Sequence, residues 1–149
     1  AENVIDCFSG IGITSALFAL SGKKVTSIEI SPSAVRDAKR IGALNDLSAD
    51  ISYIRGDAAK ILTKIGNAEK SIFFVDPPRS GLGEKTALMI TGYAPREIVY
   101  LSCNPQTLKE DIKTIIENGY KIVSATPYDL FPETKHVETL VLFSAKQAK

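Results

Sequence analysis

Two side chains in this sequence are equipped for bond making, and they lie far apart along the chain. Cys103 sits in Leu101-Ser102-Cys103-Asn104-Pro105, at the end of a run rich in β-branched and aromatic residues. Glu138 sits in His136-Val137-Glu138, at the opening of another such run. Before them come Asp76-Pro77-Pro78-Arg79 and, near the start, the glycine turn Asp6-Cys7-Phe8-Ser9-Gly10-Ile11-Gly12. A thiolate can add to an electron-poor carbon, and a carboxylate can take a proton from the adduct. A nucleotide-type pocket on the same sheet would make covalent catalysis with a bound cofactor the chemistry to expect.

Each residue also has a plainer reading. Free cysteine is among the most buried residue types, so a Cys near a strand is commonly packing. Cys103, however, falls just past a strand, before Pro105 and at the start of a helix, where the helix N-terminus favours a thiolate. Asn104 adds a polar neighbour that a packing Cys would not need. Cys7 has no such setting and reads as core or pocket wall. Glu138 stands beside Val137 and Leu140, which favours partial desolvation and a carboxylate suited to proton transfer; the alternative is an exposed charge at a strand edge. His136, the only histidine, reads as a positioning residue or a surface imidazole. Phe131 is a candidate wall for a base pocket.

The glycine turn lies where a first strand passes into a first helix, so Gly10 and Gly12 let the backbone approach a ligand beside free helix N–H groups. Glu29 ends the second strand, about 20 residues beyond the turn, where a carboxylate can accept bonds from ribose hydroxyls. A nicotinamide dinucleotide site uses the same devices, but Ser15 stands where that fingerprint needs its third glycine. Asp57, after Gly56, reads equally well as a carboxylate near an adenine and as an N-cap. The paired prolines after Asp76 stiffen the backbone into an extended ledge at a strand's carboxyl end. Arg79 on that ledge can donate to a carbonyl oxygen or a phosphate, or serve as a surface residue in a stiff turn.

The elements that must carry these groups follow from short apolar runs alternating with helical patterns, the mark of βα units and a mostly parallel sheet. Strands are expected at Val4–Asp6, Lys24–Ile30, Ile51–Arg55, Ser71–Val75, Glu97–Leu101, Tyr120–Thr126 and Val137–Ser144. Ser71–Val75 should be buried on both faces. Helices are expected at Ile13–Leu20, from Pro32 to about Leu44 behind a Ser31 cap, near Ala58–Ile65, within Gly81–Pro95, and from Pro105 to about Glu117. Only Pro127–His136 separates the last two strands, too little for a crossover helix, so they should pair antiparallel.

At 149 residues the chain is one domain, and a hydrophobic fraction of 44% describes a globular protein. No apolar stretch approaches the ~18 residues of a membrane helix. Two distant cysteines and one histidine match neither a disulfide framework nor a zinc ligand set, which points to a reducing cytoplasm. The first residue is Ala rather than Met, as in a piece cut from a longer protein. A net charge of +1 supplies little hold on phosphates, so any nucleic acid would have to be gripped mainly by other domains.

Together the S-C-N-P, H-V-E, D-P-P-R and glycine-turn motifs, in this order from Val4 to Phe143, resemble the RNA (uracil-5-)-methyltransferase family. The resemblance implies a Rossmann-like class I methyltransferase fold, S-adenosylmethionine as cofactor, and 5-methyluridine in tRNA or rRNA as product. It implies Cys103 as nucleophile and Glu138 as base, with Asp6, Phe8, Gly10, Gly12, Glu29, Asp57 and Asp76 around the cofactor. Arg79, Asn104 and Phe131 become candidates for contact with the uridine. Amino-methyltransferases carry a segment like Asp76–Arg79 with an aromatic after the prolines, and Arg79 replaces it here. Many members have a polar residue after the second glycine, where this chain has Ile13, and family members normally carry RNA-binding regions upstream. Two other readings stand beside this one: a Rossmann-like methyltransferase acting on another base or a protein, and a non-catalytic RNA-binding domain.

Overall fold

The computed structural model describes residues 2–65, 71–130, 132–134 and 137–146. The elements run β1 (Asn3–Cys7), α1 (Ile13–Leu20), β2 (Lys24–Glu29), α2 (Pro32–Leu44), β3 (Ile51–Arg55) and α3 (Ala58–Ile61). They continue with β4 (Ser71–Val75), α4 (Gly83–Gly92), β5 (Glu97–Ser102), α5 (Pro105–Glu117), β6 (Tyr120–Tyr128) and β7 (Glu138–Ala145). The strands form one seven-stranded sheet in the order β3-β2-β1-β4-β5-β7-β6. Neighbours from β3 to β5 pair parallel, and β7 runs antiparallel to both β5 and β6. This is a Rossmann-like α/β fold with a reversed C-terminal strand, as the alternation of runs predicts.

The helix bounds follow local chemistry. Ser31 caps α2 by accepting from the Ala34 N–H at 3.4 Å, with Pro32 in the first turn. Asn104 caps α5 by accepting from the Gln106 N–H at 3.1 Å, with Pro105 following. Helix α3 is shorter than its apolar pattern predicts, ending at Ile61 rather than Ile65, and the chain turns there with the Lys64 N–H on the Ile61 carbonyl. Strand β6 continues through Pro127 to Tyr128, beyond the expected end at Thr126. It lies at the sheet edge, where a missing N–H breaks no ladder.

The two faces of the sheet are filled unequally. On one, Ile28, Phe73, Val75, Ile98, Tyr100, Val141 and Phe143 pack beneath α3, α4 and α5 in the main core. On the other, Ala16 and Ala19 of α1 meet Val25 and Ile51 in a smaller cluster. On this second face Phe74 of β4 is buried edge-to-face against Phe18 of α1, whereas Ile72, Val99, Leu101, Leu140 and Leu142 are half-buried. Strand β4 is therefore buried on both faces from Phe73 to Val75, as its apolar sequence predicts, and only Ile72 is less covered.

Candidate active site

The carboxyl ends of β1, β2, β4 and β5 and the start of β7 share one edge of the sheet. Pairing within it is set by register. Phe74 lies beside Asp6 and Val99, and Val99 lies opposite Leu142. Two residues further along, Asp76 leaves β4 on the same face as Asp6. The β5–β7 ladder ends with Ser102 opposite Thr139. The next residue of each strand is Cys103 on one side and Glu138 on the other. Alternation thus puts Asp6 and Glu138 on a single face, the half-covered one, and Asp76 and Cys103 directly follow β4 and β5 at the same edge.

Asp6 is the most constrained of these. It is 1% exposed, and its Oδ2 accepts from Ser15 Oγ at 2.5 Å. Its Oδ1 is buried with no hydrogen-bond partner among the described residues. Burial, opposed by the Ser15 bond and reinforced by the charges of Asp76 and Glu29, pushes the carboxyl up to about 7. Ser15 fills the third-glycine position with a hydroxyl that serves Asp6. Partial desolvation, followed by the charge of Glu138, raises Asp76 above the usual carboxylate range. The influence of Glu138 on Asp76, and of Asp76 on Asp6, marks these carboxylates as neighbours.

The turn is left-handed at both glycines, as glycine permits, and also at Phe8, where a bulky side chain rarely allows it. Phe8, Gly10 and Gly12 have φ of 64°, 54° and 79°. A Cβ on Gly12 would stand 2.7 Å from Ala38 Cβ, so glycine lets the start of α1 approach α2. Glu29 is already engaged by backbone: Oε2 accepts from the Gly10 N–H at 2.9 Å and Oε1 from the Ser31 N–H at 2.7 Å. It therefore ties the β1 turn to the end of β2 and leaves its remaining lone pairs for a ligand. Asp57 caps α3, accepting from the Ala59 N–H at 3.0 Å, so the capping alternative holds whatever else the residue does. Phe8, Ile28, Glu29, Ile30, Gly56 and Asp57 line a small apolar cleft beside the turn. A cavity of about 640 Å³ opens at the other end of the strands, around Asn3, Lys24 and Asp50. It contains none of these residues and lies away from the edge where open α/β sheets bind ligands.

Cys103 is half-buried and free, one residue before the cap of α5, whereas Cys7 is fully buried. Burial pushes the Cys7 thiol far up, which suits a core residue. Glu138 is half-buried, in keeping with partial desolvation. Arg79 is exposed, and its backbone carbonyl accepts from Asn104 Nδ2 at 2.9 Å and Thr107 Oγ1 at 3.1 Å. Both ends of the Asn104 amide are thus used inside the protein, by the α5 cap and by Arg79. Phe131 and His136 lie outside the described residues.

The sequence reading overlooked Tyr100, Thr107 and Asp111. Asp111 is 3% exposed on α5 and accepts from the Leu82 N–H at 2.7 Å, the Gly83 N–H at 3.1 Å and Tyr100 Oη at 2.6 Å. The signal was available: Asp111 falls on the buried stripe with Leu108 and Ile115, where a solvated carboxylate has no place. Among the described residues no cluster of His, Cys, Asp and Glu could hold a metal ion, and no helix is long and apolar enough to cross a membrane.

Comparison with known proteins identifies the fold and the family. The chain is 41% identical over 145 residues to a protein of Bacillus cereus described as an uncharacterized RNA methyltransferase, matching 96% of this chain and 31% of that one. A protein of Thermotoga maritima with the same description is 41% identical over 141 residues, covering 94% of this chain and 31% of the relative. The chain thus spans about a third of the length of these relatives. The fold superposes with a TM-score of 0.84 on the crystal structure of Pyrococcus abyssi tRNA (uracil-54, C5)-methyltransferase in complex with S-adenosyl-L-homocysteine. Identity there is 29%, over 96% of this chain and 34% of the other. The family model described as tRNA (Uracil-5-)-methyltransferase matches residues 1–146, and the chain belongs to that family.

Proposed function

We propose that this chain is the catalytic part of an enzyme that transfers a methyl group from S-adenosylmethionine to C5 of a uridine in tRNA or rRNA, giving 5-methyluridine in the cytoplasm. The observation that supports the reading is that Cys103 directly follows, and Glu138 directly precedes, the last pair of the β5–β7 ladder, Ser102 with Thr139. Family membership and the S-adenosyl-L-homocysteine in the Pyrococcus abyssi structure support the cofactor.

The residues present fit such a cofactor. Asp6 Oδ1 is a buried acceptor in need of a donor, and the glycine turn exposes backbone at the start of α1. Asp6 and Asp76 would face the cationic end of the ligand, and Glu29 the ribose, with Phe8 and Asp57 near the adenine. S-adenosylmethionine, when bound, supplies an electrophilic methyl group.

The chain's own groups do the rest. Uracil C5 is a weak nucleophile. The Cys103 thiolate forms an Sγ–C6 bond, and the C5=C6 pair moves into an enolate whose charge reaches O4. Arg79 and backbone N–H groups are the donors available to that oxygen. C5 then takes the methyl group, leaving S-adenosylhomocysteine, and still carries its proton. Glu138 removes that proton, the C5=C6 bond re-forms, and the Sγ–C6 bond breaks to release the thiolate. A uracil stacked in a helix cannot meet both groups, so the target must be flipped out or lie in a loop. With a net charge of +1 the chain leaves most of the grip on RNA to the remainder of the protein.

Mass analysis of nucleosides from unmodified tRNA and rRNA, treated with the full-length protein and S-adenosylmethionine, tests this. 5-Methyluridine should form with wild type and not with Cys103→Ala. Methylation of another base or of protein, or 5-methyluridine from Cys103→Ala, would overturn the reading.

A further inference from the structure

Two loops at the reactive edge are fastened to each other by side chains that no part of the proposed reaction employs. The first runs from Asp76 through the prolines to Leu82, and the second from Ser102 to Asn104. Arg79, on the first, has a carbonyl oxygen with two lone pairs, and both are taken: Asn104 Nδ2 donates at 2.9 Å and Thr107 Oγ1 at 3.1 Å. Asn104 needs only its Oδ1 to cap α5, so the amide nitrogen is free for this second task. Ser102 Oγ steadies the second loop from within, accepting from the Asn104 N–H at 3.1 Å.

The far face of the sheet completes the fastening. Asp111 takes the Leu82 and Gly83 N–H groups at the start of α4, a helix end with no side-chain cap of its own. The same carboxylate accepts from Tyr100 Oη, three residues before Cys103. Burial, followed by the bond to Asp111, keeps the phenol protonated and therefore a donor. The approach is close enough to require glycine: at Gly81, with φ of 77°, a Cβ would stand 2.6 Å from Asp111 Oδ2 and 3.0 Å from Thr107 Cβ.

We propose that Asn104, Thr107 and Asp111 are positioning residues that latch the Asp76–Leu82 loop onto the Cys103 loop, so that a ring lying on the ledge is already aligned for attack. This rests on the proposed uridine chemistry. Attack needs the thiolate within about 3–3.5 Å of C6 in a fixed orientation, and errors of about 1 Å cost about 100-fold in rate. Asn104 accordingly acts through Arg79 and Cys103 rather than by touching the base.

Asp111 is buried under three donors, and its replacement risks unfolding, so the test uses Asn104 and Thr107 in the full-length protein. Asn104→Asp keeps the α5 cap but turns an oxygen towards the Arg79 carbonyl. Thr107→Val removes the hydroxyl, and Thr107→Ser restores it. The rate of covalent Cys103–RNA adduct formation should fall about tenfold or more in Asn104→Asp and Thr107→Val, with Thr107→Ser within about twofold of wild type. The loss should appear in kcat rather than in KM for RNA, with affinity for S-adenosylhomocysteine within about twofold. Hydrogen exchange at the Gly81, Leu82 and Gly83 amides should quicken in the same two variants. Unchanged adduct rates in both, or a parallel loss of cofactor affinity, would overturn the latch. If wild type makes no 5-methyluridine and Glu138→Gln no adduct, the functional reading falls, and unchanged exchange at those amides would still refute the latch by itself.

Discussion

Cys103 and Glu138 stand one rung beyond the last pair of the β5–β7 ladder, Ser102 opposite Thr139. They reach that relation from opposite directions, Cys103 by leaving a strand and Glu138 by entering one. Residues facing each other across an antiparallel pair share a face of the sheet. On the proposed function, a planar ring at that edge meets Cys103 at one carbon and Glu138 at the next.

The order of bond making predicts unlike failures for the two substitutions. In the full-length protein Cys103→Ala should bind cofactor and RNA yet form no covalent species. Glu138→Gln should add to C6, pass the methyl group to C5 and stall, because an amide cannot take the C5 proton. Denaturing electrophoresis should then show a protein–RNA adduct whose base already carries the methyl group. No adduct with Glu138→Gln, or one of equal yield with Cys103→Ala, would reject these roles.

Asp6 predicts a pH dependence. Folding raises its carboxyl from 3.8 to about 7, so the folded state holds this proton more tightly than the unfolded chain. The contribution of this group is therefore fully present below the unfolded value and is lost as pH rises to about 7, on the order of a few kcal/mol. Asp6→Asn should flatten that part of the profile of stability against pH measured by denaturant melts. A cationic ligand needs the carboxylate, so affinity for S-adenosylhomocysteine should weaken as pH falls below about 7 in wild type only. Identical profiles for the two proteins would remove Asp6 from this role.

Glu29 joins the Gly10 and Ser31 amides, and on the proposed assignment its remaining lone pairs accept from a ribose. Glu29→Ala should weaken S-adenosylhomocysteine about tenfold or more in calorimetry, through lost hydrogen bonds to a charged acceptor and a loosened turn. Equal affinity for the two proteins would exclude it from the cofactor site.

The two cysteines should differ sharply towards a thiol reagent. Cys7 is 0% exposed, while Cys103 is half-buried at the open edge. Native protein should release chromophore from Ellman's reagent for one thiol, and the second only after unfolding. Peptide mapping that found Cys7 modified first would contradict the burial of β1.

Most of this arrangement was legible in the sequence, for reasons that differ by element. Helices α1, α2 and α5 begin and end as expected because Gly22, the Ser31-Pro32 pair and the Asn104-Pro105 pair are local signals that packing does not override. The hairpin of β6 and β7 was legible from the shortness of its connection. The extension of β6 through Pro127 was not, since it depends on which strand lies at the edge. Asp57 shows the limit of a motif, because one residue satisfies a cap and remains available to a ligand. The latch at Asp111 was hidden for another reason. Its partners lie on three separate elements, and nothing in a single helical segment says which amides a buried carboxylate will meet.

Strand β7 runs backwards, so it presents its first residue, not its last, to the reactive edge. Every other element of the edge is delivered by a βα connection, and those connections also build the cofactor turn and the ledge. Glu138 alone arrives from the β6–β7 connection. On the proposed assignment, the proton acceptor is thereby delivered by a different connection from those that hold the methyl donor. In sequence that connection lies outside every segment between Asp6 and Asp76. On the same assignment, the proton acceptor and the methyl-donor turn reach one edge by separate routes along the chain.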